Sequence, residues 1–282
     1  MDRSLARRPD DAPAPAPRRQ DAPRRSPYPP PHHLLDGPPD APLLVLGPSL
    51  GTSLRLWEPQ LAALARHFRV LRYDLPGHGG SPAYPLPAGA TVADLARPVL
   101  DLADGLGAGR FAYAGVSLGA AVGAHLAAHH PDRVSHLALV CTSAHFGDPA
   151  AWRARAALVR KEGLAALADA APSRWFADPD APPPGAAELQ ADHRAADPGA
   201  YAACCEALAA LDLRPDLPRI TARTLVVAGA GDRATPPAHA RELAAAIPGA
   251  RLVEVPGAGH LAGTERPGAV LTALEALLED LR

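Results

Sequence analysis

The sequence contains no asparagine and few cysteines, and both scarcities narrow the class of protein. Without asparagine no N-glycosylation acceptor can exist. There are only three cysteines, namely Cys141 and the adjacent pair Cys204 and Cys205. This small and odd number does not suit a disulfide framework. This cysteine usage fits a reducing compartment, so we expect a cytoplasmic protein.

Long apolar runs and an excess of charge are also missing. No stretch approaches the roughly 20 apolar residues that are needed to cross a bilayer. The formal net charge is −2 at pH 7. Such a balance offers no basic surface to nucleic acid or to an anionic membrane. We therefore predict that neither nucleic acid nor a membrane is a partner.

The first 31 residues are rich in proline, arginine, alanine and aspartate and have no apolar periodicity. A segment of this composition cannot bury enough surface to offset the entropy lost on ordering. We predict a disordered tail over residues 1–31, with a nucleic-acid-binding arm as the less favoured alternative. The tail lacks the apolar core of a secretory signal, and its prolines and aspartates disfavour the amphipathic helix of a transit peptide.

Beyond the tail, apolar strand patterns alternate with helical patterns. Strands are predicted at residues 32–35, 43–46, 68–73, 111–114, 136–141, 224–229 and 251–255. Several are continuous apolar runs, which is typical of strands that are buried on both faces. The alternation predicts a mostly parallel, doubly wound α/β sheet with helices on both faces. Residues 32–146 and 219–282 would form this core.

Residues 147–218 have a different character. Alanine-rich helical segments are separated there by proline-rich breaks, and no strand pattern occurs. The segment falls between two predicted strands of the sheet. We therefore predict a helical cap that is inserted between two late strands.

The strongest local motif is Gly115-Val116-Ser117-Leu118-Gly119, which joins an apolar strand to a helix of small residues. This is the pattern of a nucleophile elbow, a strained turn that raises one serine above the end of a central strand. A side chain at either glycine should clash with the neighbouring backbone. Taken alone, the motif is equally compatible with a glycine-rich turn and an ordinary capping serine.

Two later residues favour catalysis. Asp232 follows the strand at 224–229 and His260 follows the strand at 251–255. With Ser117 they should meet at one edge, because the carboxyl ends of parallel strands lie together. The chain order serine, aspartate, histidine is that of the α/β-hydrolases. We predict that Ser117 is a nucleophile, His260 its general base and Asp232 the residue that orients the base.

Other residues compete for these roles. Glu254 lies inside a strand, while Asp212 and Asp216 belong to the cap or its hinge. His78 lies in a glycine- and proline-rich turn, where a histidine more often orders the loop. None of them is presented at a strand end in the required order, so we prefer Asp232 and His260.

A tetrahedral intermediate also needs donors that are aimed in advance at its oxyanion. We predict the backbone N–H of Leu118, directly after the nucleophile, and that of Leu50, in the glycine-containing loop after residues 43–46. The adjacent His32 and His33 could suggest a metal. No carboxylate or cysteine lies at ligand spacing from them, so we predict no metal.

The sequence resembles the 3-oxoadipate enol-lactonases, which are α/β-hydrolases of bacterial aromatic catabolism (the β-ketoadipate pathway). The resemblance extends over residues 34–280. Its widespread motifs are Ser49-Leu50-Gly51-Thr52 followed by Trp57, Gly77-His78-Gly79, and the elbow. Its more specific motifs lie in the cap: Trp152 with Arg155, Arg174-Trp175-Phe176, and Gly199-Ala200-Tyr201-Ala202-Ala203-Cys204-Cys205.

The resemblance implies a small lactone substrate, 4,5-dihydro-5-oxofuran-2-acetate, and hydrolysis to 3-oxoadipate without a metal or an organic cofactor. The substrate carboxylate calls for a cation in an otherwise apolar pocket, and arginine suits this purpose. Arg155 and Arg174, beside Trp152 and Trp175, are the candidates. A solvated helix face is the alternative for the arginines, and packing in the cap core is the alternative for the tryptophans.

Two departures from the family pattern concern the oxyanion loop and the sheet edge. Family members usually carry asparagine or histidine at the position of Pro48. The tail replaces the usual first strand, which leaves an edge uncovered or covered by a partner subunit of a homo-oligomer.

The fold alone does not fix the substrate. A general carboxylesterase, another lactonase or a perhydrolase are therefore alternatives to the enol-lactonase. A non-catalytic hydrolase-fold binding protein is a further alternative, which the complete set of Ser117, Asp232 and His260 disfavours.

Overall fold

The computed structural model describes residues 28–84, 86–87 and 89–282. The predicted disordered tail lies almost wholly outside the described residues. Of its last residues, Tyr28 stacks on Tyr84 with a distance of 4.8 Å between the ring centroids. The chain then leads into the first strand.

A seven-stranded sheet forms the centre of the protein. In chain order its strands are β1 (His33–Asp36), β2 (Leu43–Gly47), β3 (Arg69–Tyr73), β4 (Phe111–Val116), β5 (Val134–Val140), β6 (Arg223–Gly229) and β7 (Arg251–Val255). Their spatial order is β1-β3-β2-β4-β5-β6-β7. Every neighbouring pair is parallel except β1 and β3, which are antiparallel. The predicted α/β-hydrolase fold is confirmed.

Helices connect the strands and cover both faces of the sheet. They are α1 (Glu58–Leu64), α2 (Val92–Gly105), α3 (Leu118–His129), α4 (Pro149–Glu162), α5 (Ala165–Asp169), α6 (Ala171–Trp175), α7 (Ala186–Ala195), α8 (Pro198–Ala209), α9 (Pro237–Ala246), α10 (Ala262–Glu265) and α11 (Pro267–Leu277). Helices α4 to α8 all lie between β5 and β6, where the sequence predicts a helical cap. Among the described residues, no helix is both long and apolar enough to cross a membrane.

The two faces of the sheet belong to two apolar clusters because successive strand residues point in opposite directions. Val45, Tyr113 and Leu137 pack on the face that carries α2 and α3. Their neighbours Leu44 and Ala112 pack on the opposite face, with α1 and α11. Burial on both sides explains why these strands are continuous apolar runs in the sequence.

Six of the seven strands have bounds that differ from the sequence prediction by one or two residues. Strand β5 begins at Val134 rather than at residue 136, because Ser135 joins the strand and donates its hydroxyl to the Phe111 carbonyl at 3.1 Å. The short helix α10 was not predicted, since four residues are too few to show a period. The last helix, α11, ends at Leu277 and is followed by a 3₁₀ turn over Glu279–Leu281.

The edge beside β3 is covered by β1, whose four residues pair with it from His33 to Asp36. The short strand that the sequence predicts at residues 32–35 is therefore confirmed, displaced by one residue. The expectation that the tail replaces the family's usual first strand concerns residues that lie almost wholly outside the described ranges. Strand β1 is itself the outer strand of the sheet. Its Leu34 and Leu35 are 43% and 39% exposed.

Candidate active site

The elbow forms the sharp connection between β4 and α3. Ser117 has φ 55° and ψ −115°, a conformation that a residue with a side chain adopts only where the surroundings enforce it. A Cβ on Gly115 would lie 2.5 Å from the Gly119 carbonyl oxygen, and a Cβ on Gly119 would lie 2.5 Å from the Pro48 carbonyl oxygen. Both glycines therefore have the steric role that the sequence predicts.

Hydrogen bonds hold the backbone of the elbow in place. The Ser117 N–H donates to the Val140 carbonyl at 3.0 Å, and the Thr142 hydroxyl donates to the Ser117 carbonyl at 2.8 Å. From beneath, the Tyr113 hydroxyl donates to the Gly119 carbonyl at 2.8 Å. The strained serine is thus fixed from the flanking strand, from the loop after it and from its own helix.

His260 and Asp232 come from the loops after β7 and β6 and meet beside the elbow. Nδ1 of His260 lies 2.8 Å from Oδ2 of Asp232, and both residues are buried. The Thr235 hydroxyl donates to the same Oδ2 at 2.7 Å, and the N–H groups of Ala234 and Thr235 donate to Oδ1. This carboxylate can hold the histidine as the Nδ1–H tautomer, which leaves Nε2 available to accept a proton.

The surroundings of Asp232 favour its charged form. Burial raises the pKa of this carboxyl group. The neighbouring His260 imidazole and the Thr235 donors lower it by more, so the pKa lies below its ordinary value. Asp232 is therefore ionised at neutral pH and can stabilise an imidazolium on His260.

The competing carboxylates are bound to arginines elsewhere. The pairs are Glu254 with Arg241, Asp212 with Arg214, and Asp216 with Arg219. Nδ1 of the competing His78 lies 2.8 Å from the Pro76 carbonyl oxygen in its own turn.

The two predicted oxyanion donors lie on segments that are tied together. Leu118 is the first residue of α3, and Leu50 lies in a turn that is closed by the Thr52 N–H donating to the Ser49 carbonyl at 3.1 Å. The Gly119 N–H donates to the Pro48 carbonyl at 3.0 Å. Within the described ranges neither the Leu50 nor the Leu118 N–H donates to a protein acceptor, so both are available to a bound oxyanion. Pro48 takes part in this contact through its carbonyl group only, so the missing N–H of proline does not affect the contact.

A cavity of about 260 Å³ has Ser117 and His260 in its wall. The four cap residues that the sequence singles out, Trp152, Arg155, Arg174 and Trp175, line the same cavity. Leu50 lines it too. The cavity therefore brings a serine and histidine from the sheet edge together with aromatic and cationic groups from the cap.

Three arginines line the cavity, and Arg233 donates to the Ser173 carbonyl at 3.2 Å. The other two, Arg155 and Arg174 of the cap, have no carboxylate partner in the part of the chain that the structure describes. The guanidinium carbon of Arg155 lies 4.8 Å from the centre of the Trp152 ring, within cation–π distance. Arg174 donates to the Leu167 carbonyl at 3.1 Å. Burial lowers the pKa of Arg174, and the nearby Arg155 lowers it further. Two close positive charges without a protein counter-charge favour an anionic ligand.

Comparison with known proteins decides the family. Residues 42–181 match a family model described as alpha/beta hydrolase fold, and residues 200–282 match one described as TAP-like protein. The chain is 37% identical to 3-oxoadipate enol-lactonase 2 of Acinetobacter baylyi, over 86% of this chain and 91% of the relative. The chain belongs to the 3-oxoadipate enol-lactonase family.

Solved structures agree with membership of the enol-lactonase family. The enol-lactonase from Burkholderia xenovorans is 42% identical with a TM-score of 0.82, covering 88% of this chain and 96% of that one. A hydrolase from Pseudomonas aeruginosa is 41% identical with a TM-score of 0.83, covering 87% and 93%. The similarity therefore includes the cap as well as the sheet.

In this enol-lactonase family member, the cap helix α7 contacts the turn at residues 49–53, which carries the predicted donor Leu50 and is called the oxyanion turn below. The Ser53 hydroxyl donates to Oδ2 of Asp192 at 2.6 Å. Beside it, a Cβ on Gly51 would lie 2.8 Å from Cδ2 of His193. Two successive residues of α7 thus contact the turn that carries Leu50.

His193 and Tyr201 are cavity residues that sequence reasoning did not assign to the site. Tyr201 belongs to a family motif of the cap, so a signal for it existed. His193 lies in a polar helix, and nothing in the local sequence distinguishes it from a histidine on a solvent-exposed helix face.

Proposed function

We propose that the protein is a serine hydrolase that opens 3-oxoadipate enol-lactone to 3-oxoadipate in the catabolism of aromatic compounds. The observation that carries the proposal is one cavity that contains both Ser117 with His260 and the unpaired charges of Arg155 and Arg174. The serine and histidine suit attack on an ester carbonyl, and the two arginines suit the binding of a carboxylate. The enol-lactonase names of two similar proteins support this substrate.

The reaction begins at the lactone carbonyl. Oγ of Ser117 attacks the carbonyl carbon while Nε2 of His260 takes the hydroxyl proton. Asp232 stabilises the imidazolium that forms. The backbone N–H groups of Leu50 and Leu118 donate to the oxyanion of the tetrahedral intermediate.

Collapse of the intermediate breaks the bond between the acyl carbon and the ring oxygen. The departing group is an enolate, which is a better leaving group than a simple alkoxide and remains tethered through the carbon chain. It takes up the proton held by His260 and tautomerises to the ketone. Water activated by His260 then hydrolyses the acyl-serine, which releases 3-oxoadipate and restores Ser117.

The cap supplies recognition in this proposal. Arg155 and Arg174 bind the substrate carboxylate, and the rings of Trp152 and Trp175 enclose the apolar part of the lactone. Residues 147–218 act as the substrate-binding unit over the catalytic core. The three cysteines are free and buried, which supports a reducing, cytoplasmic setting.

The direct test is the loss of ultraviolet absorbance of the enol-lactone with purified protein. We expect kcat/KM for the enol-lactone to exceed that for 4-nitrophenyl acetate by about a hundredfold or more, because only the lactone engages both halves of the cavity. Faster cleavage of the nitrophenyl ester would replace the lactonase assignment with a general carboxylesterase.

Replacing either of the two cap arginines that line the cavity should weaken recognition of the carboxylate. We expect Arg155→Ala and Arg174→Ala each to raise KM for the enol-lactone by about 10- to 100-fold, since each removes a charge-assisted hydrogen bond. Steady-state kinetics on the acid and on its neutral methyl ester measure the effect, which should be much smaller for the ester.

Arg153→Ala is the matched control, because Arg153 is an exposed arginine of the same helix as Arg155 and does not line the cavity. It should leave KM close to that of the unmodified protein. Unchanged KM and kcat in both Arg155→Ala and Arg174→Ala would remove these arginines from the substrate site.

A further inference from the structure

His193 is a buried cap residue whose ring faces the cavity that also contains Ser117 and His260. Only 1% of its surface is exposed. The imidazole lies between the rings of Trp175 and Tyr201, with centroid distances of 5.5 Å and 5.4 Å. The interplanar angles of 28° and 21° show that it is stacked on both sides. The ring is therefore held in one plane.

Neither ring nitrogen of His193 has a hydrogen-bond partner among the residues that the structure describes. Buried polar groups are nearly always hydrogen-bonded, because an unmet donor or acceptor is costly. Stacking against Trp175 and Tyr201 would serve equally well with an apolar ring. The two nitrogens thus point to a partner that enters the cavity from outside.

The charge state of His193 restricts what that partner can be. Burial, together with the nearby charges of Arg174, His78 and Arg155, lowers the pKa of His193 to about 3. The ring is neutral at neutral pH and carries one N–H donor. Beside two guanidinium groups, a neutral donor can add a hydrogen bond to an anion without adding a third positive charge.

We propose that His193 is a specificity-determining residue that donates a hydrogen bond from its imidazole N–H to the substrate carboxylate, alongside Arg155 and Arg174. This inference rests on the proposed function, which supplies the carboxylate. The ring also contacts Gly51 of the oxyanion turn.

Two variants separate the hydrogen bond from the stacking. His193→Phe keeps a flat ring between Trp175 and Tyr201 and removes both nitrogens, whereas His193→Gln keeps an N–H donor and removes the ring. The readout is the ratio of kcat/KM for the enol-lactone acid to kcat/KM for its neutral methyl ester. We expect His193→Phe to lower this ratio about tenfold, and His193→Gln to recover part of it.

His78→Phe is the matched control. His78 stacks on Tyr201 at a centroid distance of 6.0 Å and is also buried, but it does not line the cavity. Its replacement should leave the ratio close to that of the unmodified protein. If the larger phenyl ring prevents folding at position 193, as circular dichroism would show, His193→Leu provides the same test.

An unchanged ratio in His193→Phe would overturn the proposal. Equal losses on the acid and the ester would also overturn it, because they would show that the ring only supports the oxyanion turn. Calorimetric binding of adipate tests His193 even if the protein does not open the enol-lactone. We expect about tenfold weaker binding by His193→Phe, and a wild-type protein that binds no adipate would contradict the inference.

Discussion

Ser117→Ala should lower kcat for the enol-lactone by about a millionfold, close to the loss seen when the nucleophile of a serine hydrolase triad is removed. Without Oγ no acyl-enzyme can form. The remaining His260, Asp232 and backbone donors could assist only a direct attack by water. Ultraviolet assays at high protein concentration measure the residual rate, and calorimetry with adipate should show that the cavity still binds an acid.

Ser173→Ala is the matched control for this loss. Ser173 lies on α6, and its exposed hydroxyl donates to the Ala170 carbonyl at 2.8 Å, away from the cavity. Its rate should match that of the unmodified protein. Turnover by Ser117→Ala at a rate comparable with wild type would remove the nucleophile assignment and, with it, the acyl-enzyme mechanism.

Asp232→Asn should lower kcat by about ten-thousandfold through a change of tautomer. Oδ1 of Asp232 accepts two backbone N–H bonds, from Ala234 and Thr235. An asparagine would keep its carbonyl oxygen at that position, so its amide NH₂ would face Nδ1 of His260. The histidine would then carry its proton on Nε2, where it could not accept one from Ser117.

The comparison variant is Asp212→Asn, which alters a carboxylate that is bonded to Arg214 on the surface. It should leave kcat near that of the unmodified protein. Kinetics of both variants over a range of pH measure the difference. An Asp232→Asn protein with near-normal kcat would show that another group orients the histidine.

The sheet and the meeting of Ser117, Asp232 and His260 at one of its edges could be predicted because both depend on local patterns. Residues 251–255 form β7 with the predicted bounds although the strand is only partly buried, because the turns at Pro248-Gly249 and Pro256-Gly257 mark its two ends. Ser117, Asp232 and His260 follow strand ends, and parallel topology brings strand ends together whatever the details of packing. Neither prediction required knowledge of contacts between distant segments other than the pairing of the strands.

The cap contacts could not be predicted in the same way. Ser53 and Asp192 are 139 residues apart, and their bond depends on where α7 settles on the core. The role proposed for His193 arises from the same placement, because its stacked and unpaired ring exists only once α6, α7 and α8 have packed together. Among twelve histidines, local sequence gave no reason to select this one.

The contact between α7 and the oxyanion turn would couple any movement of the cap to the geometry of the turn that carries Leu50. A movement that lifted α7 to admit a lactone would break the bond between Ser53 and Asp192 and withdraw His193 from Gly51. The turn that positions the Leu50 N–H would then lose its support. Catalysis would therefore be slower in an open cavity, because an ester entering it would not find the Leu50 N–H in position. The start of the reaction and the release of product would then both depend on the contacts of Ser53 with Asp192 and of Gly51 with His193.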